Sequence, residues 1–363
     1  MESNELREKL VASINKKEER VHYFGLHGTF GLITNCISSQ SPNLDRIIAK
    51  DTKGRWGVPC GRTFFISGEP GTCKTTFCMH IAAETQRRKG IAVYIDGEHR
   101  LDRIYCEAMG IDNDSLIYFQ PDDLEEVLGL IEDNLNAMLK VREKLEIKIT
   151  KAKKKVDKEN LRKELAVFME CPLVILADSM SIATHAEVES GSGLGEHARL
   201  LSRHMRIVTP TVAKLNACVI YVCQKKEKIN TGWGGYGPKD TFLGENSLKF
   251  HSSAGLRMTK VKTIKNSDND AIGDIVVAQT IKNSCIPPLK KAETEVYYGQ
   301  GFDYWASVTE LLAKYYGATK GTQGKYSHKG LGIEWKKRTL GKMVEADPKL
   351  GRRIRKLIAS KPE

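Results

Sequence analysis

The chain has 363 residues, of which 40% are hydrophobic and 28% charged, the composition of a folded globular protein and not of a disordered one. It shows neither the pattern of a secretory signal peptide nor an apolar run of transmembrane length, so we expect no export and no membrane insertion. The nine cysteines include no C-x-x-C pair and no His–Cys ligand spacing, which favours reduced thiols in a cytosolic protein over disulfides or structural zinc.

The formal net charge of +12 is distributed unevenly. Residues 140–164 carry 11 basic and 5 acidic side chains, and residues 314–361 carry 14 basic and 3 acidic ones. Two basic segments on a slightly acidic body favour a polyanionic partner. Charge alone is explained equally well by a solvated basic surface without a specific target.

The elements predicted along the chain begin with a short amphipathic helix, in which Leu6, Leu10 and Ile14 follow i, i+4 spacing. Short apolar runs then alternate with helical patterns, which predicts an α/β fold with a mainly parallel twisted sheet. Because the carboxyl ends of parallel strands meet at one edge of a sheet, we expect the polar residues at these strand ends to lie together there. These residues are Asp96, Glu98, Asp178 and Gln224.

A long heptad pattern separates two of the predicted strands. Its positions predict a helix that projects from the domain, turns near residues 157–160 and returns as a hairpin, which forms an insertion at about residues 140–168. A single solvated helix with fortuitous leucines is the alternative. The heptad positions are Leu124, Leu128, Ile131, Leu135, Met138, Arg142, Leu145, Ile149, Ala152 and Val156.

The segment GEPGTCKT, residues 68–75, follows an apolar strand and opens a helix. At such a turn the backbone N–H groups bind phosphate, a lysine bridges the terminal phosphates, and the next hydroxyl ligates Mg²⁺. Gly68, Gly71, Lys74 and Thr75 supply these groups, but Cys73 replaces the second glycine of the pattern G-x-x-x-x-G-K-[ST]. Its Cβ lies where a positive φ is expected, at a cost of about 1–2 kcal/mol. Taken alone, the segment could also be a glycine-rich turn with a chance Lys-Thr.

Three polar strand ends make ATP hydrolysis with Mg²⁺ the stronger interpretation. Asp178 ends the apolar run VILAD, an arrangement that holds Mg²⁺ directly or through water. Glu98 lies just beyond another strand, where a carboxylate could orient the attacking water. Gln224 ends a further strand, in position to sense the γ-phosphate.

These segments, together with GLGEHARLLSRHMR, VIYVCQKK, GENSLKF, TIKNSCIPP and YYGQGFDY, resemble the RecA family of recombinases in collinear order. The resemblance extends from PNLDRIIA to about residue 310. It implies a RecA-type P-loop ATPase core at residues 36–303, preceded by a polymerisation helix and linker at 1–35. A small basic C-terminal domain would occupy residues 304–363.

The resemblance also implies roles for individual residues. Glu98, Lys74 and Gln224 would be catalytic, joined by Lys282 reaching across a subunit interface, and Thr75 with Asp178 would bind the metal. The nucleotide would contact Gly68, Glu69, Pro70, Gly71, Thr72, Cys73, Lys74, Thr75, Thr76, Asp102, Tyr105, Asp178 and Ser179, with Tyr105 stacking on adenine. DNA would contact Leu194, Gly195, Arg199, Arg206, Lys225, Lys226, Lys228, Trp233, Tyr236 and Asn246.

The second of these DNA loops, residues 225–246, supports the same function from its composition. Its lysines can follow phosphates, Trp233 and Tyr236 can stack on bases, and its glycines permit reordering on binding. As a lone feature it could be only a flexible loop. Because it directly follows the predicted γ-phosphate sensor, the loop is a candidate for coupling DNA binding to the state of the nucleotide.

The sequence departs from the family at Cys73, at the heptad insertion, in its basic end and at Ser284, which replaces a second interface lysine. These departures favour a divergent member, such as one encoded by a phage, acting in the cytoplasm of a bacterium or an infected host. The predicted function is ATP-dependent strand exchange by a helical filament on single-stranded DNA, with duplex DNA as second substrate. The alternatives are a helicase or recombination mediator, and a non-catalytic filament protein, against which the retained Glu98 argues. The insertion could bind DNA or a protein partner.

Overall fold

The computed structural model describes residues 31–184, 195–224, 226–227, 240–241 and 245–360. The predicted N-terminal helix, Leu194 and most of the second DNA loop lie outside these ranges. Within them, no helix combines the length and the apolarity needed to cross a membrane.

A nine-stranded sheet organises the described residues. The strands β1 (Cys36–Ile37) and β2 (Val58–Pro59) form a separate small sheet, as do β8 (Lys226–Glu227) and β9 (Asp240–Thr241). The strand order is β13 (Gly301–Phe302), β12 (Lys291–Tyr297), β11 (Ala271–Asn283), β10 (Ala254–Lys265), β3 (Arg62–Gly68), β7 (Cys218–Gln224), β6 (Leu173–Asp178), β4 (Ile91–Asp96) and β5 (Ile117–Phe119).

The six neighbouring strands from β10 to β5 are parallel, and β11, β12 and β13 extend the sheet in antiparallel fashion. The predicted mainly parallel α/β sheet is therefore confirmed. The register places Gly68 beside Gln224 and Asp178 beside Asp96. The polar strand ends consequently share one edge of the sheet, which we call the carboxyl edge.

Helices cover both faces of the sheet. The helices are α1 (Pro42–Asp45), α2 (Lys74–Arg87), α3 (Arg103–Ala108), α4 (Leu124–Lys151), α5 (Lys155–Glu170), α6 (Glu196–Leu215), α7 (Glu245–His251), α8 (Tyr304–Tyr315), α9 (Leu340–Ala346) and α10 (Pro348–Ser360). Successive strand residues point to opposite faces, so Phe64 and Tyr94 pack with α2 while Phe65 and Val93 pack with α4 and α6. Burial on both faces explains why the strands are continuous apolar runs.

Helices α4 and α5 form the projecting hairpin, but its turn is not at the predicted place. The chain turns at residues 152–154, and residues 157–160 belong to α5. Asp157 lies in the first turn of α5, where the helix dipole favours a carboxylate, so it supports a helix start and not a turn. Val156, predicted as a heptad position, is 67% exposed, and the buried stripe ends at Leu145.

The C-terminal residues have a hydrophobic cluster of their own. Helices α8, α9 and α10 surround a three-stranded sheet of β14 (Thr319–Lys320), β15 (Lys325–His328) and β16 (Ile333–Lys336). Trp335 is buried in this cluster with Leu312 and Leu340, and its indole N–H donates to Thr309 Oγ1 over 3.0 Å. The predicted boundary at residue 304 coincides with the start of α8. The division into domains at that point stays a prediction.

Candidate nucleotide site

The glycine-rich loop between β3 and α2 has the geometry of a phosphate-binding turn. Gly71 and Cys73 both have left-handed backbones, with φ of 72° and 63°. At Gly68 a Cβ would lie 2.5 Å from the carbonyl oxygen of Met258, so only glycine fits there. Cys73 thus occupies the conformation expected from the sequence, in which its Cβ is strained.

Lys74 opens α2 and is folded back into the loop. Its ammonium donates to the carbonyl oxygens of Gly68 and Glu69 over 3.0 and 2.8 Å. Burial lowers the pKa of this lysine, and the carboxylates of Asp178 and Glu98 oppose that shift. The ammonium is therefore held by neutral carbonyls that a phosphate could replace as the stronger acceptor.

The predicted metal ligands are in contact with each other. Thr75 Oγ1 donates to Asp178 Oδ2 over 2.7 Å, and the phenol of Tyr94 donates to the same oxygen over 2.8 Å. Burial raises the pKa of Asp178, while these two hydrogen bonds lower it. One carboxylate and one hydroxyl are hard oxygen ligands of the kind that Mg²⁺ uses together with substrate phosphates. The residues thus fit the ion.

Glu98 and Gln224 are also in contact. The Gln224 amide donates to Glu98 Oε1, and Arg100 Nη1 lies 3.3 Å from Glu98 Oε2. Asp96 positions this loop, because its carboxylate accepts from the backbone N–H groups of Glu98 and Leu101 over 3.2 and 2.9 Å. The predicted carboxylate and the predicted sensor are therefore linked directly by a hydrogen bond.

The opposite wall of the site comes from the antiparallel part of the sheet. Lys260 Nζ lies 2.7 Å from Asp274 Oδ1, and the hydroxyl of Tyr298 donates to Asp274 Oδ2 over 3.1 Å. Asp274 is buried and also acts on the thiol of Cys73. Burial raises the pKa of that thiol to about 11, with the negative charge of Asp274 as the next cause. Cys73 is therefore a neutral thiol at physiological pH.

Together these groups enclose a cleft of about 490 Å³. It takes in the predicted loop residues Pro70 to Thr76, Tyr105, Asp178, Glu98 and Gln224. It also takes in Asp96, which was predicted to lie at this edge of the sheet. The sequence assigned no role to its remaining lining residues, Tyr94, Arg100, Leu101, Lys260, Asp274, Val296 and Tyr298. Within the described residues no group of three or more His, Cys, Asp or Glu side chains could hold a metal ion alone, so further ligands would come from phosphate and water.

Several predicted residues have other contacts. Asp102 caps α3 by accepting from the Tyr105 N–H over 2.7 Å, and the Tyr105 hydroxyl lies 3.1 Å from Thr76 Oγ1. Ser179 is buried and accepts from the Ser181 N–H over 3.4 Å. Of the predicted nucleotide contacts, Gly68, Glu69, Asp102 and Ser179 do not line the cleft.

Lys282 lies outside the cleft of its own chain. Its ammonium donates to the carbonyl oxygens of Lys249 and Phe250 at the end of α7, and desolvation lowers its pKa. It is thus available to a neighbouring chain only if these bonds are exchanged.

The predicted DNA contacts that the structure describes are on the surface. Arg199 and Arg206 are exposed on α6, where Arg199 pairs with Glu196 over 2.5 Å, and Asn246 is exposed on α7. Gly195 begins α6 with a φ of 96°. Lys226 lies in β8, whereas Lys225, Lys228, Trp233 and Tyr236 fall outside the described residues.

The chain is similar in sequence to known proteins over most of its length. The family model described as the RecA N-terminal domain matches residues 9–141 and 163–303. Protein RecA of Leptospira meyeri is 30% identical over 314 residues, covering 83% of this chain and 71% of that protein. Protein RecA of Nautilia profundicola is 32% identical over 291 residues, with coverages of 76% and 73%. Protein RecA of Nostoc punctiforme is 30% identical over 308 residues, with coverages of 84% and 76%.

Proposed function

The chain belongs to the RecA family of recombinases, and from this premise we propose that its cleft binds and hydrolyses ATP under the control of DNA. The observation that carries the proposal is the hydrogen bond from Gln224 to Glu98. Gln224 ends β7 immediately before the predicted DNA loop, and Glu98 lies beside the phosphate-binding loop. A change in the loop on binding DNA would therefore reach the carboxylate that orients water.

Each side chain of the cleft has a defined task in this mechanism. Lys74 exchanges its two backbone carbonyls for the terminal phosphates, where its charge offsets the charge that develops during phosphoryl transfer. Thr75 and Asp178 would hold Mg²⁺, which would supply positive charge to neutralise the phosphates. Tyr105, partly buried beside Thr76, provides the aromatic face on which adenine stacks.

Glu98 acts last in this scheme. In the structure its two oxygens are engaged by Gln224 and Arg100. To orient the attacking water it must release at least one of them. If the Gln224 amide turns toward the γ-phosphate when DNA orders the following loop, Glu98 is freed at the same moment. Turnover would then be low without DNA and high with it.

The DNA contacts and the filament follow from the same arrangement. The described ends of β6 and β7 lie side by side at the carboxyl edge, and the two predicted DNA segments follow these strands in the sequence. Lys282 of one subunit would complete the next subunit's site, where Ser284 offers no second cation. We expect assembly on single-stranded DNA, pairing with a homologous duplex and strand exchange.

The experiment is ATP turnover measured with and without single-stranded DNA, on the wild type and on Glu98→Gln. The variant should bind ATP and DNA normally but turn over at least ~100-fold more slowly, because the neutral amide cannot accept a proton. Glu107→Gln, at an exposed carboxylate on the nearby helix α3, is the matched control and should behave as wild type.

The outcomes separate the alternatives. Normal turnover by Glu98→Gln would remove this residue from its assigned role. Absence of DNA-stimulated turnover in the wild type would favour a non-catalytic filament protein. Unwinding of duplex DNA without strand exchange would favour a helicase.

A further inference from the structure

The hairpin of α4 and α5 carries its tip far from the nucleotide site. Helix α4 starts at the carboxyl edge, where the Leu124 N–H donates to the carbonyl of Ala183 over 3.0 Å. At Arg142 it has reached the opposite edge, because that guanidinium donates to the Lys214 carbonyl at the end of α6. With 28 residues, the helix ends about 40 Å from its start. Residues beyond Arg142 therefore extend past the sheet.

The end of this hairpin is strongly basic, and we call residues 147–156 the basic tip. It contains Lys148, Lys151, Lys153, Lys154 and Lys155 and no acidic residue. All five lysines are exposed. In the part of the chain that the structure describes, none of the five has an ion pair, whereas Arg142 and Lys163 pair with Glu146 and Glu159. The tip thus holds five uncompensated charges.

The tip contributes nothing to the hydrophobic core that would explain its presence. Helix α5 has no fully buried residue, and the last buried residue of α4 is Leu145. Residues 142–162 are also the gap between the two segments that the RecA N-terminal domain model matches, 9–141 and 163–303. The segment is therefore an addition to the ATPase core, and its exposed charge is its main chemical property.

The composition of the tip indicates which kind of polyanion it fits. Protein interfaces are poor in lysine and rich in aromatic residues, and residues 140–167 contain many lysines and no aromatic residue. Single-strand binding depends on aromatic faces that stack on bases, which are missing here too. Lysines on flexible stems suit the phosphates of a double helix, whose backbone is bound through charge and without base contacts.

We propose that the basic tip is a binding site for the phosphate backbone of duplex DNA, separate from the carboxyl edge of the sheet. The tip and the carboxyl edge lie at opposite ends of α4, so one subunit can hold a duplex at the tip while its carboxyl edge is occupied. The tip binds without sequence preference, and its affinity falls steeply with salt concentration.

The test measures binding of the full chain to a fluorescein-labelled duplex by anisotropy over a series of salt concentrations. One variant replaces the five lysines with Gln, and a second replaces them with Arg. Neutralising about four phosphate contacts should reduce the slope of log K against log salt by about 3.5 and weaken binding at least ~10-fold at low salt. The Arg variant should keep both the slope and the affinity. A matched control neutralises five exposed lysines elsewhere: Lys89, Lys214, Lys262, Lys291 and Lys342.

An unchanged salt slope in the Gln variant would overturn the proposal, and so would an equal loss in the scattered control, which would reveal only an effect of net charge. Selective loss of binding to single strands, with duplex binding intact, would also overturn it. ATP turnover stimulated by single-stranded DNA, measured on the same variants, should be unchanged. This second readout tests the proposed function separately, because a wild type without such turnover would leave the duplex measurement fully interpretable.

Discussion

The two ends of helix α4 lie in opposite chemical environments. At its start is the nucleotide cleft, where Lys74 and Asp178 are buried and each is held by hydrogen bonds at defined distances. At its end is the basic tip, where the lysines are exposed and unpaired by any described residue. A buried polar group that loses its partner costs free energy, whereas exposed charges act independently and are screened by salt. Substitutions should therefore have large, specific effects in the cleft and small, additive ones at the tip.

The largest effect should come from Lys74→Met, which keeps the length of the side chain and removes its charge. Loss of a cation that pairs with phosphate inside a buried site should weaken ATP binding by roughly 100-fold or more. The fold should persist, because among the described residues the hydrogen-bond acceptors of the Lys74 ammonium are two loop carbonyls. ATP titration by calorimetry, with the exposed Lys89→Met as control, measures the difference. ATP affinity within twofold of wild type would show that the cleft does not bind the triphosphate through this loop.

A moderate effect is expected from Cys73→Gly, which removes a Cβ from a left-handed backbone without touching a hydrogen bond. Relief of about 1.4 kcal/mol in the binding-competent loop corresponds to up to tenfold tighter ATP binding. Lys89→Gly is the matched control, since Lys89 also has a positive φ, of 57°, but lies at the far end of α2. Both variants should gain stability and only the first should gain affinity. A large loss of affinity in Cys73→Gly would assign the thiol a positive role.

The cleft shows which parts of a site can be predicted from sequence. Glu98, Asp178 and Gln224 were predictable because the ends of parallel strands must share an edge. Lys260 and Asp274 were not, because they meet across β10 and β11, whose register shifts between Lys260 and Lys262. A bulge of this kind changes which side chains face each other, but the hydrophobic pattern of the sequence does not reveal it.

The hairpin shows a second limit of prediction from the sequence. Its two helices follow from apolar periodicity, but its turn does not, because Asp157 suits a turn and the first turn of a helix equally well. Tertiary contacts decide between them. Outside the cleft, the hydrogen bond of Lys282 to the end of α7 likewise depends on tertiary structure and was not visible in the sequence.

A smaller effect is expected from a change at Asp274, in the wall of the cleft opposite the phosphate-binding loop. Asp274→Asn should lower the pKa of the Cys73 thiol, because a neighbouring negative charge is removed while burial, the main cause of the raised value, remains. Alkylation at a given alkaline pH should therefore be faster, because a larger fraction of the thiol is then the reactive thiolate. The rate of modification by iodoacetamide, followed by peptide mass analysis, tests this. Asp268→Asn, at an exposed turn, should leave the rate unchanged. Equal rates in both variants would mean that Asp274 does not act on the thiol.

The smallest effect should come from shortening the hairpin, since the tip takes no part in the core. The predicted insertion at residues 140–168 includes Leu145, which is buried, and Phe168, which packs against the core, so a cut of that size would damage the body. Replacing only residues 146–160 with a Gly-Ser linker of about four residues keeps both side chains and removes the lysines of the tip. Because α5 has no fully buried residue, the melting temperature should change by less than about 4 °C and basal ATP turnover should stay the same.

The shortened chain is compared with Leu145→Ala in the full-length chain. This substitution removes a buried side chain at the base of the hairpin and should cost about 2 kcal/mol or more, although it changes one residue and not fifteen. Differential scanning calorimetry of the two variants therefore shows which part of the hairpin stabilises the folded core and which part does not. A shortened chain that melts far below wild type, together with a Leu145→Ala variant that does not, would mean that the tip packs against the folded core. Its lysines would then stabilise the fold and would not bind a ligand.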